Sequence, residues 1–458
     1  MGLILGSVRV LFLTLLLVWL TDAGANNGYK VFSVKKYGAV SDGKTENSKA
    51  FLKAWTEACR WHGRAMVLIP RGVYILDSVL FLGECNGYMA FILKGVLKPK
   101  RSLQTCDQWI TFRYIKGFIL GGGGTLDGEG YKYWNRFDCL RNHNCHPLAI
   151  VKLQMLTTRN GHEYYSFIFL EFKHILDEEV MLVYLVFLVE YANHVIILGF
   201  LGQSLRLEFI QNGRVSHIRS INSQNAHVSL FGCVNLNMSN LRLSAPGDSP
   251  NTDGIKIGSS EEIQISKTRI GTGDDCVAIL SGSKNIHISQ VQCGPGHGIS
   301  VGSMGGKGSV TESVVGVTVK DCTFNGTSDG ARIKTWASST TGVASNFIYE
   351  NIRMMNVGNP IIIDQDYCPY PPCDIKTPSL IQIKDITFNN IWGTSESDVA
   401  VTLNCSRTVP CKNIRLKDIN LFHGRGGSVS SLCSNVRDLE LWSASSSFSD
   451  LVGFDGHG

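Results

Sequence analysis

The chain has 458 residues, 44% hydrophobic content, 48 glycines and a net charge of +5. That length allows two or three domains or one long solenoid, and the composition suits a folded, turn-rich, β-dominated protein. So small a charge, with no basic tail and no interleaved run of aromatics and cations, argues against a nucleic-acid partner.

The N-terminus reads as a secretory signal over residues 1–25. Arg9 supplies the positive region, Val10 to Leu20 the apolar stretch, and Ala23-Gly24-Ala25 a small-x-small cleavage site. The apolar run is too short for a membrane anchor. The rest, 26–458, is expected to be a single catalytic domain. Ser48 to Trp61 is the one good helical pattern, with Phe51, Leu52, Trp55 and Cys59 on one face. A helix there would cover the open N-terminal end of a solenoid, whose exposed strand edges otherwise invite aggregation.

From about 151 to 203 the glycine turns thin out, and Val180 to Leu201 is mostly Val, Leu, Ile, Phe and Tyr. Its length approaches a membrane span, but Glu190, Asn193 and His194 sit in its middle and are costly in lipid. An insertion is expected here, and stable membrane association is not.

A repeat follows. Its core is apolar-x-x-apolar: Met238–Leu241, Ile288–Val291, Val319–Cys322, Tyr349–Ile352, Ile383–Ile386 and Leu416–Ile419, with a looser copy at Ile265–Thr268. The third positions, 240, 267, 290, 321, 351, 385 and 418, recur every 23 to 34 residues. Gly, Asn, Asp and Ser cluster between copies as turn signals. A propeller blade needs about 40 or more residues. The shorter period favours an all-β, right-handed, single-stranded parallel β-helix, with Asn and Asp stacked as a ladder at one register.

Fourteen cysteines in a secreted chain suggest disulfides. Close spacing pairs Cys368 with Cys373, Cys405 with Cys411 and Cys276 with Cys293; Cys59 with Cys85 is a further pair. No CxxC occurs to suggest zinc. Asn237, Asn325 and Asn404 begin glycosylation sequons.

Four islands carry the chemistry: Asn251-Thr252-Asp253, Gly273-Asp274-Asp275, Gly296-His297-Gly298 and Arg332-Ile333-Lys334. They lie about one coil apart, so they are expected to stack in one column. Asp253, Asp274 and Asp275 provide the paired carboxyls that glycoside hydrolysis requires, and adjacent carboxylates keep one proton to higher pH. Consecutive strand residues face opposite ways, so Asp274 and Asp275 share a cleft only if the chain turns there. Gly271 and Gly273 supply that turn. The glycines beside His297 remove bulk, so a ligand could approach closely. Arg332 and Lys334 face one way on a strand and can clamp a carboxylate. Tyr367 can stack on a sugar. Singly, each feature has a plainer reading: Asp-Asp as a solvated turn or calcium site, His297 and Tyr367 as structural residues, Arg332 and Lys334 as solvated charges. Their order and spacing together favour hydrolysis of an acidic sugar polymer.

The motifs Asn251–Ile255, Gly273–Val277, Gly294–Ser300, Arg332–Trp336 and Asn359–Gln365 resemble the plant polygalacturonases, pectin-degrading glycoside hydrolases with a right-handed parallel β-helix. Tyr367–Cys373 and Cys85–Gly87 are most similar to the pollen-type exopolygalacturonases. The resemblance implies Asp274 as general acid and Asp253 and Asp275 as the carboxylates activating water. It implies His297 as the supporting imidazole, Arg332 and Lys334 as cations for the galacturonate carboxylate, and Tyr367 and Asn251 as substrate contacts. It also implies inversion at the anomeric carbon, with carboxylates ~6.5–9.5 Å apart. Its other implications are no metal or cofactor, a monomer, pectin as partner, exo rather than endo action, and a cell-wall or apoplastic location. The 151–203 stretch departs from the family pattern and reads as retained intervening sequence or a recent insertion. The alternatives are a pectate lyase, which would yield ultraviolet-absorbing unsaturated products, and a non-catalytic or inactivated wall-binding relative.

Overall fold

Alternating apolar residues in short strands have one economical burial here: each strand lies on the equivalent strand of the next coil. The computed structural model describes residues 28–100, 108–134, 202–306, 311–369, 373 and 377–442. The signal segment and most of the 151–203 stretch lie outside the described residues.

Eleven parallel strands, one per coil, form the sheet that matters for function. They are β1 (Val79–Leu82), β2 (Gln108–Arg113), β3 (Gln203–Glu208), β4 (Val228–Phe231), β5 (Ile255–Gly258), β6 (Val277–Ile279), β7 (Ile299–Met304), β8 (Asp329–Thr335), β9 (Asn359–Asp364), β10 (Val399–Asn404) and β11 (Ser430–Ser434). Each pairs only with its sequence neighbours in the sheet, in strict chain order. The remaining strands build a second, 22-stranded sheet that completes each coil. The fold is therefore the right-handed parallel β-helix that the repeat implies. β3 pairs with β2 from Gln203 opposite Gln108 onward. The regular coil thus already includes Gln203, the last residue of the 151–203 stretch.

Inward residues stack coil on coil. Ile255, Val277, Ile299, Ala331, Ile361 and Val401 are register partners and all are buried. Such stacking removes both faces of the apolar column from water, at ~25 cal/mol per Å². The N-terminal end is closed by helix α1 (Ser48–Arg60), one residue shorter than the sequence pattern suggests. Phe51 and Trp55 are buried beneath it as expected, joined by Ala50, Ala54 and Ala58, whereas Leu52 is only partly buried. Trp55 packs against Phe81, Phe112 and Phe118, and its Nε1–H donates to the Leu82 carbonyl at 3.0 Å.

The repeat proves to be double. Asn240, Lys267, Gln290, Asp321 and Asn351 sit at one corner of successive coils with φ near +50°. The next member of that corner is Asn390, not Asp385, because Glu350 pairs with Asn389. Asp385 belongs to a second corner, five residues earlier in the coil, with Asn346 before it and Asn413 after it. Both corners use an apolar-x-polar-apolar pattern, so Ile383–Ile386 was aligned with the wrong one. Asn and Asp suit a left-handed corner because their short polar side chains tolerate positive φ. The predicted ladder is present at both corners. Asn235 donates to Asn212 at 2.7 Å, Asn351 to Asp321 at 3.0 Å, Asn390 to Asn351 at 2.9 Å and Asn413 to Asp385 at 2.7 Å.

All four expected disulfides are formed: Cys59–Cys85, Cys276–Cys293, Cys368–Cys373 and Cys405–Cys411. Among the described residues, no helix is long and apolar enough to cross a membrane.

Candidate active site

Count back two residues from the first inward apolar residue of β5 through β9. The positions are Asp253, Asp275, His297, Asp329 and Asn359. Neighbouring coils are about 4.8 Å apart, so these side chains form a polar column at the mouth of the sheet. Asp274 stands one residue before it. Arg332 and Lys334 stand on the outward face of β8. The islands thus occupy two adjoining columns rather than the single one their spacing suggests.

Asp274 and Asp275 share the cleft because neither is in a strand. Both lie in the bend between Gly271 and Val277. A Cβ on Gly273 would come within 2.0 Å of the Ser249 carbonyl oxygen, so only glycine lets the bend pack against the preceding coil. Asp275 N–H donates to Asp274 Oδ1 at 2.8 Å, and the Asp274 carbonyl accepts from His297 N–H at 2.9 Å. The glycines around His297 are required by the protein's own backbone. At Gly298 (φ +82°) a Cβ would meet the Asp329 carbonyl oxygen at 2.3 Å.

Asp275 is the hub. Its Oδ1 accepts from Ser300 Oγ at 2.6 Å and from Arg332 Nη2 at 2.6 Å, and its Oδ2 accepts from Lys334 Nζ at 2.9 Å. Arg332 also donates from Nε to Ser300 Oγ at 2.9 Å and from Nη1 to Asp329 Oδ2 at 3.0 Å. Burial works against the Arg332 cation, but Asp275 and Asp329 outweigh it and raise its proton affinity further. In this state the two cations hold Asp275. Lys334 Nζ also lies 5.2 Å from the centre of the Tyr367 ring, which packs edge-on to Trp336 at 5.0 Å. Asn251 is exposed in the turn before Asp253, at φ +54°, and makes no side-chain hydrogen bond among the described residues.

The three carboxyls differ in exposure and in proton affinity. Side-chain exposure is 24% for Asp274, 4% for Asp253 and 3% for Asp275. Burial pushes the Asp253 carboxyl up to about 7; the Lys256 charge opposes the rise, and Asp274 and Asp275 add to it. Lys256 Nζ sits 2.9 Å from Asp253 Oδ1, but off the angle of a hydrogen bond, which leaves that buried oxygen without a donor. Asp274 goes the other way. Burial would raise it, but the His297 hydrogen bond and charge, with Lys256 and Lys334, hold it well below the usual carboxylate range. His297 Nδ1 lies 3.1 Å from Asp274 Oδ1, and that bond raises the imidazole's proton affinity despite burial. At rest one proton is favoured on Asp253 and a second on the His297–Asp274 pair.

Asp274, Asp275 and His297 each offer a ligand atom, all within 4.8 Å of one another. A divalent cation could be held by that geometry, but Asp275 is already neutralised by two cations, which disfavours a third. For this pair the spacing differs from the expectation: one oxygen of Asp274 and one of Asp275 lie within 4.8 Å, closer than the ~6.5–9.5 Å of an inverting pair.

Four participants escape sequence reading: Ser300, Asp329, Lys256 and Asn359. The count-back rule would have found Asp329 and Asn359. Register would have found the others, since Lys256, Ala278, Ser300 and Arg332 align across β5 to β8.

Comparison with known proteins gives a consistent picture. The family model for Glycosyl hydrolases family 28 matches residues 59–160 and 201–446, leaving 161–200 unmatched. An exopolygalacturonase of Platanus acerifolia is 38% identical over 418 residues, covering 90% of this chain and 96% of its own length. A polygalacturonase of Brassica napus is 36% identical, covering 95% and 94%. A solved exopolygalacturonase of Thermotoga maritima superimposes with a TM-score of 0.67 at 18% identity, covering 91% and 92%, and supports the fold.

Proposed function

The chain belongs to glycosyl hydrolases family 28, and from that premise we propose how it acts. It is a pectin-degrading polygalacturonase. Our reading adds that it is secreted, that it acts in the plant cell wall on α-1,4-galacturonosyl bonds, and that it works from chain ends by single displacement with inversion.

The observation that carries this reading is the hub around Asp275, with Asp274 and His297 beside it and Asp253 one coil away. A general acid must touch the leaving oxygen, and Asp274 is the least enclosed of the three carboxyls. The proton it delivers is one it shares with His297 across 3.1 Å. The bond from C1 to the leaving oxygen breaks as that oxygen takes the proton. A water attacks C1 from the opposite face and gives its proton to a carboxylate. Asp275 is suited to water rather than to carbon. Three donors occupy three of its roughly four lone-pair sites. The remaining one can accept a proton, but the carboxylate is too tightly held to be a good nucleophile. That is why close carboxyl spacing does not here imply a covalent intermediate. Asp253 sits on the far flank of the water and must lose its own proton to assist.

Arg332 and Lys334 retain unused N–H donors, two on the guanidinium and two on the ammonium. These are positioned to bind a galacturonate carboxylate without releasing Asp275. Tyr367, beside Lys334, and the exposed Asn251, two residues before Asp253, are assigned to substrate contact. No step requires a metal or cofactor.

The test is Asp274→Asn on polygalacturonic acid, followed by reducing ends and product lengths. Turnover should fall by ~10²–10⁴-fold with substrate binding largely retained. The parent should release monomeric galacturonate from chain ends, with no ultraviolet-absorbing unsaturated product. Substantial turnover by the variant would reject the acid assignment. Unsaturated products would reject hydrolysis.

A further inference from the structure

Away from the site, the 22-stranded sheet carries a concave groove of about 600 Å³. Its floor is a stack of arginines. Arg219, Arg242 and Arg269 open the strands Arg219–Ile221, Arg242–Ser244 and Arg269–Gly271 on three successive coils, in direct register. All three are exposed. Lys267 and His217 flank them from the corner column, and among the described residues no acid lines the groove. Among the described residues none of the three arginines makes an ion pair; Arg269 donates to Gln292 Oε1 at 2.9 Å. The acid at the equivalent corner, Asp321, lies one coil beyond Gln290 and already accepts from Asn351.

Like charges directly opposite one another across paired strands are destabilising. Three guanidinium groups stacked at about 4.8 Å per coil have no acidic partner among the described residues. A linear polyanion with one carboxylate per unit could lie along the solenoid axis and supply one repeatedly. No strand of this groove carries an active-site residue.

We propose that this arginine groove is a second, non-catalytic binding site for de-esterified polygalacturonate, which holds the enzyme on the polymer it degrades. The choice of polyanion rests on the polygalacturonase reading above. The charge complementarity does not. Guanidinium–carboxylate contacts on an open surface are individually weak and screened by salt. Three in a row give retention through their number.

The test uses the full chain with Asp274→Asn, so that immobilised polygalacturonate is not consumed during the measurement. In that background Arg219→Gln, Arg242→Gln and Arg269→Gln are combined. Retention should weaken roughly tenfold and parental retention should fall steeply with added salt. Arg242→Gln alone should give an intermediate loss. In the active chain, the triple variant should keep kcat/KM on soluble trigalacturonate while losing rate on insoluble pectate. Unchanged retention would overturn the proposal. So would an equal loss on trigalacturonate, which would place the effect in the cleft or in folding. Binding to dextran sulfate but not to polygalacturonate would assign the groove to another polyanion and overturn it too. If the parent cleaves no polygalacturonate yet its retention depends on the arginines, the groove stands and the functional reading falls.

Discussion

At the scale of the residue, the chemistry turns on where protons rest. His297 is raised above its ordinary value of 6.5, chiefly by its bond to Asp274. Asp274 is lowered by the same contact. The pair therefore keeps one proton to higher pH than a free imidazole would, and on the proposed mechanism the acid is competent until that proton is lost. Replacing His297 with Gln leaves Asp274 to hold the proton alone, and a carboxyl releases its proton at lower pH than an imidazole does. The alkaline limb of kcat/KM should move to lower pH, with a lower maximum. A pH profile on trigalacturonate measures this, and an unmoved alkaline limb would remove His297 from the proton inventory. The acids and cations were legible because their motifs are contiguous. Ser300 and Lys256 were not, because a Ser at the end of a motif or a Lys on a strand does not by itself signal a role. Only the register that aligns them with Arg332 reveals them. Likewise, the sequence offered Arg332 and Lys334 as free clamps, whereas each first neutralises Asp275.

At the scale of the element, each coil bends at left-handed residues, and the sequence shows both bends as the same pattern. That sameness explains why Asp385 was placed in the wrong corner while the period itself was read correctly. Strands this short have little autonomy, and their stability comes from the coil on either side. The ends are the exception, and α1 closes one of them. Trp55 is 2% exposed and reaches three phenylalanine rings. Trp55→Ala should cost ~3–5 kcal/mol, read as a lower denaturant midpoint, while activity per folded molecule is preserved. A loss under ~1 kcal/mol would show that the end is closed by other means. The helix was legible from its periodicity. Its use of three alanines against the strands was not, since alanine marks neither face of a helix.

At the scale of the whole molecule, the solenoid is indifferent to what leaves it between coils. β2 and β3 pair directly although the chain between them is long. The family model likewise passes over 161–200. Deleting those residues should leave the thermal midpoint and the specific activity equal or improved. Loss of both would show that the segment contributes to folding. The stretch stands out in the sequence by its thinned glycine turns and long apolar run, but no residue in it indicates a role.

The active site gathers its parts from five coils, so one stereochemical outcome reports on the assembled whole. Carboxyl spacing alone would favour retention, whereas the clamping of Asp275 favours attack by water. Proton NMR of the first product released from trigalacturonate decides between them. The β-anomer should appear first and mutarotate to the equilibrium mixture. An α-anomer formed first would mean that a carboxylate attacks carbon, and would contradict the mechanism.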